Sequence, residues 1–208
     1  MQPDPDVSRE ALFAAFPDAR DSLAVFHHLL STAGVERGLI GPRETPRLWD
    51  RHLLNCAVIT ELISRGEHVA DVGSGAGLPG LVVALVRPDL RVTLIEPLAR
   101  RSSFLEEAVA DLNLSDRVTV IRSRAEDQHS ATYDTVTSRA VAPLDRLSAW
   151  CLPLVKPGGQ VLAIKGARAI EEVEAARGSL PPSVSVEVRH CGVGVIDPPT
   201  TVVTIAVG

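Results

Sequence analysis

Val69-Ala-Asp-Val-Gly-Ser-Gly-Ala-Gly-Leu-Pro-Gly80 reads as a buried strand that runs into a glycine-rich turn and then a helix. Val69, Ala70 and Val72 are small or β-branched, as suits a strand covered on both faces. Gly73, Gly75 and Gly77 let the backbone turn tightly and approach a ligand with no Cβ in the way. Pro79 suits the first turn of a helix, and a helix start presents free N–H groups and partial positive charge. A second apolar run, Arg91-Val-Thr-Leu-Ile-Glu96, follows at the spacing of one strand–helix–strand unit. Its terminal carboxylate stands where it can accept hydrogen bonds from the two hydroxyls of a ribose. Together these features predict a cofactor that contains adenosine.

The spacing of the glycines narrows the choice. The dinucleotide fingerprint is G-x-G-x-x-G. Counted from Gly73, its sixth position is Leu78, and the pattern fails; counted from Gly75 it fits, but starts late and encloses Pro79. The G-x-G-x-G form preceded by Asp71 resembles the S-adenosylmethionine loop of methyltransferases. A nicotinamide or flavin site, and a strand–turn–helix that binds nothing, are the competing readings.

Outward from this loop, strands and helices alternate, which argues for a parallel sheet with helices on both faces. Strands are expected at 68–73, 91–96, 117–122, 133–138 and 160–165, the last entered through Pro157-Gly158-Gly159. Helices are expected at 79–86, 99–112, 144–152 and 168–178. Val184–Val188 and Thr201–Val207, separated by Pro198-Pro199, suit a closing antiparallel hairpin. The fold class is therefore α/β, Rossmann-like, with a seven-stranded, mostly parallel sheet. Before it, 9–35 reads as helix from Leu12, Phe13, Phe16, Leu23, Phe26 and Leu30, and a second helix starts at Thr45-Pro46 and ends by Gly66. Residues 1–8 read as disordered. The division is a helical cap, 1–65, on a domain spanning 66–208.

The chain has 208 residues, 45% of them hydrophobic, enough for a sizeable core. No apolar run approaches the roughly 20 residues of a membrane helix, and the acidic, proline-bearing start is unlike a signal peptide. Cys56, Cys151 and Cys191 are odd in number and widely spaced, which fits neither a disulfide framework nor a zinc site and points to the cytoplasm. The histidines show no metal spacing. The net charge of −5 disfavours nonspecific nucleic-acid binding, so any RNA surface must be local. Arg43, Arg47 and Arg51 recur every four residues, and Arg100, Arg101, Arg122 and Arg124 fall near strand ends. They form either a basic rim or an ordinary solvated face. Lys156 and Lys165 are the only lysines among 21 basic residues.

Beyond the glycine loop, Arg51-His52-Leu-Leu-Asn55, Leu78-Pro79-Gly80, Arg87-Pro88, Glu96, Arg101 with Phe104-Leu105, Ser138-Arg139-Ala140 and Lys165-Gly166 carry a closer likeness. On these the chain resembles the bacterial guanine-N7 methyltransferases of small-subunit (16S) ribosomal RNA, the glucose-inhibited division protein B family. Asn55-Cys56 departs from that family's commoner Asp-Ser. The resemblance implies S-adenosylmethionine as cofactor and 16S ribosomal RNA within the small subunit as partner; separately, no metal and a monomer are expected. The resemblance also implies that Gly73 and Leu78 line the methionine side, beside Gly75 and Gly77. Glu96 would hold the ribose, and Ala125-Glu126 would flank the adenine. Arg139 would sit at both cofactor and target as the catalytic group.

Guanine N7 carries a lone pair and no proton, so its methylation needs no general base. Arg139 follows a strand at the carboxyl edge of the sheet, where it can orient the base or its phosphate. The alternative is an ion pair with Glu126 or Asp145. Asp71 either favours a cationic cofactor or satisfies loop N–H groups. Lys165 either meets RNA phosphate or snorkels at the surface. His52 either stacks on a base or packs the helix, and Arg51 lies beside it as an RNA contact. A small-molecule methyltransferase with a helical lid, and a non-catalytic ribosome-binding module, are the competing functions.

Overall fold

The computed structural model describes residues 5–128 and 131–208. Seven strands form one sheet in the order β3-β2-β1-β4-β5-β7-β6. They are β1 (His68–Val72), β2 (Arg91–Ile95), β3 (Val118–Ile121), β4 (Tyr133–Arg139), β5 (Val155–Lys165), β6 (Val184–Cys191) and β7 (Thr200–Val207). The first five run parallel; β7 is antiparallel to both β5 and β6. The order reverses between β1 and β4, and a ligand crevice belongs at the carboxyl ends of strands at such a point.

Alternation along the strands sorts the core into two faces. Val69, Val92, Leu94, Leu162 and Val202 join one cluster; Ala70, Val72, Ile95, Val136, Val161 and Val203 join the other. The second face is covered by α6 (Leu144–Cys151) and α7 (Ala169–Ala176). On the first lie α4 (Gly80–Val86) and α5 (Ala99–Asp111), together with the N-terminal helices. All seven residues of α4 are buried. Its sequence has no polar stripe because it is covered on both sides, by the sheet and by α2 (Arg20–Leu29), the turn before it and the short helix at Asn55–Ala57; α1 (Pro5–Ala15) joins the same core cluster.

The N-terminal half differs from its sequence reading in three ways. Residues 1–4 lie outside the described residues, but 5–8, expected to be disordered, belong to α1. The expected helix 9–35 is interrupted: α1 ends at Ala15, Pro17 opens a short 3₁₀ turn, and α2 starts at Arg20 before a π-turn at Leu30–Gly34. Pro17 lacks the N–H an uninterrupted helix would use, and it disfavours α geometry in the residue before it. Residues 42–62 are helical but change winding, from 3₁₀ (Pro42–Arg47) to π (Leu48–Leu54), to α3 (Asn55–Ala57) and back to 3₁₀ (Val58–Leu62). The Asn55 amide donates to the carbonyls of Asp50 and Arg51 at 2.9 and 3.0 Å, which competes with regular α pairing. Arg43, Arg47 and Arg51 therefore do not follow one another on a regular α-helix, and two of them pair with acids, Arg47 with Asp50 and Arg51 with Glu44.

β5 begins at Val155, before the glycines. Pro157-Gly158-Gly159 lies inside it as an irregularity, where the register against β4 jumps from Tyr133–Val155 to Thr135–Gln160. Between β3 and β4 the chain makes only a 3₁₀ turn at Ala125–Asp127 among the described residues.

A tight joint lies at Gly80, the first residue of α4. A Cβ there would lie 2.4 Å from Leu94 Cδ2 and 2.7 Å from Asp71 Oδ2. Gly80→Ala therefore overpacks the β1–β2–α4 junction and pushes away the carboxylate that caps the helix. The expected loss is about 2–4 kcal/mol, read as a lower urea midpoint with unchanged slope. An unchanged midpoint would mean that the junction yields.

Candidate functional site

The loop after β1 turns through Gly73 at φ +71°. An L-side chain is strained at this angle, and a Cβ would meet Val141 Cγ2 at 2.6 Å. Loop and wall close on one another across a cavity of about 610 Å³, within the range of small-molecule sites. It lies at the carboxyl edge of the sheet. Gly73, Ser74, Gly75, Ala76 and Leu78 form one wall, and Ile95 and Glu96 form another. Further lining comes from Ala125 and Glu126, from Arg139 with Ala140 and Val141, and from Leu39 and Ile40 in the bend between the N-terminal helical segments. Gly77 is not part of the lining; its missing Cβ makes room for Leu81. Leu78–Pro79 is cis, and the helix starts one residue later than expected, at Gly80.

Glu96 is only 1% exposed, yet it borders this cavity. Its Oε2 accepts the Gly75 N–H at 3.0 Å and its Oε1 the Leu98 N–H at 3.0 Å; Arg101 Nη1 stands 3.8 Å from Oε2. The carboxylate is thus oriented by backbone, with a lone pair on each oxygen left over for hydroxyl donors.

Asp71 stands one layer behind. It is fully buried and does not line the cavity. Its Oδ2 accepts the Gly80 N–H at 2.9 Å, and its Oδ1 has no hydrogen-bond partner. Satisfying the loop is therefore its visible role, and the free helix N-terminus expected from Pro79 is already occupied. Burial pushes the Asp71 carboxyl up to about 7, against the opposing pull of the Gly80 N–H and of Arg139. A group held above its unfolded value stabilises the fold below the unfolded pKa, and that stability is lost as pH rises through the folded one. Asp71→Asn should therefore gain on the wild type by about 2–4 kcal/mol between pH 4 and pH 8, measured by urea unfolding across that range. A constant difference would mean Asp71 does not titrate there.

Arg139 ends β4 and is followed by Ala140 at φ +55°. Its guanidinium pairs with neither Glu126 nor Asp145. Nη2 lies 2.7 Å from His52 Nδ1, and Nη1 donates to Cys56 Sγ at 3.6 Å. His52 Nε2 in turn meets Glu44 Oε2 at 2.9 Å. The N-terminal segment thus supplies the anchor for the arginine of the sheet. His52 is buried, and burial and Arg139 lower its pKa, so its ring is neutral at pH 7. Burial also raises the Cys56 thiol to about 11, which keeps it protonated.

The remaining expectations divide. Arg51 is exposed, 3.9 Å from Glu44, and outside the cavity lining. Lys165 is neither a surface lysine nor free for phosphate. Only 7% exposed, it donates to the Ala142 carbonyl at 2.8 Å and to Glu172 Oε2 at 2.7 Å, tying the segment after β4 to α7. It borders a second cavity of about 570 Å³, which shares Ala140 and Val141 with the first. Leu39, Ile40 and Trp150 line the main cavity and went unread as site residues, as do Arg101 and Arg124, read only as part of a rim or a solvated face; Trp150 is half-buried beneath Arg146. No local spacing links residues brought together from separate segments. Asn55 keeps a polar role despite its departure from the family pattern, since its Oδ1 accepts from the Thr200 hydroxyl.

Comparison with known proteins decides the family. The family model for rRNA small subunit methyltransferase G (GidB) matches residues 19–192. The chain belongs to this family. The ribosomal RNA small subunit methyltransferase G of Salinispora tropica is 59% identical over 202 residues, 90% of this chain and 81% of its own. That of Streptomyces avermitilis is 53% identical over 212 residues, 100% of this chain and 87% of its own. Among solved structures, TrmN from Thermus thermophilus aligns with a TM-score of 0.55 at 19% identity, covering 75% of this chain and 49% of that one. This last likeness bears on the fold alone.

Among the described residues no cluster of three or more His, Cys, Asp or Glu side chains has metal-holding geometry, and no helix is long and apolar enough to cross a membrane.

Proposed function

We propose that this chain transfers a methyl group from S-adenosylmethionine to N7 of a guanine in 16S ribosomal RNA. The observation that carries the reading is one cavity that joins the glycine loop, Glu96 and Arg139 in a member of the rRNA small subunit methyltransferase G family. The cavity suits this cofactor. It is large enough, its glycine turn adds no side chain at Gly75, and Glu96 offers acceptors for a ribose.

When bound, S-adenosylmethionine supplies an electrophilic methyl group: the N7 lone pair forms the new N–C bond while the S–C electron pair stays on sulfur. N7 gives up no proton, so no side chain has to act as a base. The chain's task is to align, desolvate and balance charge. Glu96 and the loop hold the adenosyl and methionine parts. Glu126 brings negative charge to the cavity wall near a cationic ligand. Arg139 presents its unused N–H groups toward the cavity, to guanine O6 or to a phosphate. The second cavity, across the Ala140–Val141 wall, is the route we assign to the base. Residues 1–65 act as a cap over the domain at 66–208, lending Leu39 and Ile40 to the cavity and His52 to Arg139. Arg51 is a peripheral RNA contact. Lys165 acts on RNA only indirectly, by holding Ala142.

We further propose that the protein acts as a monomer, in the cytoplasm, on the small ribosomal subunit. An acidic chain with dispersed arginines grips free RNA weakly, so the particle must present the base. The test is transfer of labelled methyl to small subunits lacking the modification, followed by nucleoside analysis. N7-methylguanosine is the expected product. No transfer to subunits or naked RNA despite cofactor binding would overturn the reading in favour of a small-molecule methyltransferase.

A further inference from the structure

Glu44 lies in the 3₁₀ turn Pro42–Arg47, outside the cavity lining, yet it is hydrogen-bonded to the residue that holds Arg139. The chain of contacts fixes the protons. An arginine has donors only, so His52 Nδ1, at 2.7 Å from Arg139 Nη2, must be the acceptor. In a neutral imidazole the proton then sits on Nε2, where it donates to Glu44 Oε2 at 2.9 Å. We propose that Glu44 is a positioning residue for the methyl transfer: by accepting the Nε2–H it locks His52 in the tautomer that holds the Arg139 guanidinium toward the cofactor cavity. This rests on the reading of Arg139 as the group that orients the target.

The alternatives open to His52 show why the lock matters. Without Glu44 the ring can carry its proton on Nδ1, which sets one donor against another and releases Arg139. Nor can the ring recover by ionising, because an imidazolium would face Arg139 and Arg51 with no carboxylate left to balance it. Cys56 Sγ at 3.6 Å from Nη1 is a weak acceptor and cannot hold a flexible guanidinium alone. The carboxylate oxygen not bonded to His52 is 3.9 Å from Arg51 Nη1, a contact at an exposed side chain. The His52 bond is thus the stronger of the two that Glu44 makes.

The experiment compares Glu44→Ala and Glu44→Gln in methyl transfer to small subunits lacking the modification, with S-adenosylhomocysteine affinity and urea midpoint measured on the same samples. Glu44→Ala should lower kcat about tenfold and leave affinity within twofold and the midpoint near wild type. Glu44→Gln, whose amide oxygen still accepts the Nε2–H, should return kcat to within about twofold of wild type. Ring ¹⁵N NMR, assigned by the signal lost in His52→Asn, should show Nε2–H alone in the wild type and both tautomers in Glu44→Ala. Full turnover in Glu44→Ala overturns the proposal. So does a loss that follows cofactor affinity or stability, or a Glu44→Gln as weak as Glu44→Ala with the tautomer unchanged. Arg139→Ala separates the two levels. If it retains full turnover, the reading of Arg139 fails; if it is inactive while Glu44→Ala is fully active, only the role of Glu44 fails.

Discussion

Glu96→Ala should weaken S-adenosylhomocysteine binding by about 50- to 500-fold while the protein stays folded. Hydrogen bonds to a charged acceptor contribute about 1.5–3 kcal/mol each, and each 1.4 kcal/mol is tenfold in affinity. Losing two ribose contacts, partly offset by water entering the gap, gives that range. Both Glu96 oxygens already accept a backbone N–H, from Gly75 and from Leu98. Glu96→Gln is therefore no conservative change: whichever way the amide turns, its NH₂ faces one of those N–H groups. Glu96→Gln should bind as poorly as Glu96→Ala, whereas a loop that yields to the amide would leave Gln intermediate, because its remaining carbonyl oxygen still accepts from a hydroxyl. Titration calorimetry with the two variants distinguishes these outcomes. Binding within twofold of wild type in both would reduce Glu96 to a brace for the glycine loop.

The residues that were legible in sequence act within a few positions of one another. The strand, the glycine turn and the carboxylate ending β2 could be read from spacing, because a turn through Gly73 and a strand of period two are local matters. The helix expected at 79–86 is likewise local, and it forms one residue late as α4. What could not be read depends on contacts distant along the chain. Arg139 was singled out by its place at the end of a strand, but nothing in its surroundings names His52, 87 positions away, as its partner. Lys165 was misread for the same reason. Its neighbours suggest an exposed strand end, and only the return of α7 brings Glu172 to its ammonium. The helical register at 48–54 failed through competition, since the Asn55 amide takes carbonyls that a regular helix would use. Leu39 and Ile40 follow a glycine at φ +64° and reach the cavity by tertiary packing.

Arg139→Ala should lower the rate of methyl transfer by about 10²- to 10³-fold, the usual loss when one oriented donor is removed from a reacting site. The fold should survive, because Arg139 is itself half-buried beside the cavity, so water can enter the space its side chain leaves. The loss should appear in single turnover at saturating cofactor, which separates a misplaced base from slow product release. Arg139→Lys should be nearly as impaired. A lysine carries one ammonium and cannot hold His52 Nδ1 while presenting a planar pair of donors to O6 or to a phosphate. A second consequence is electrostatic. Arg139 pulls the Asp71 carboxyl downward, so its removal should raise Asp71 further above its ordinary value. The pH at which Asp71 stops favouring the fold should then move up, a shift visible in urea unfolding of Arg139→Ala across the neutral range. Full methyl transfer by Arg139→Ala would remove the arginine from the reaction and leave it a strut between the cap and β4. Lost turnover with the shifted Asp71 titration would fix it as the group joining the cap, the buried acid and the target base.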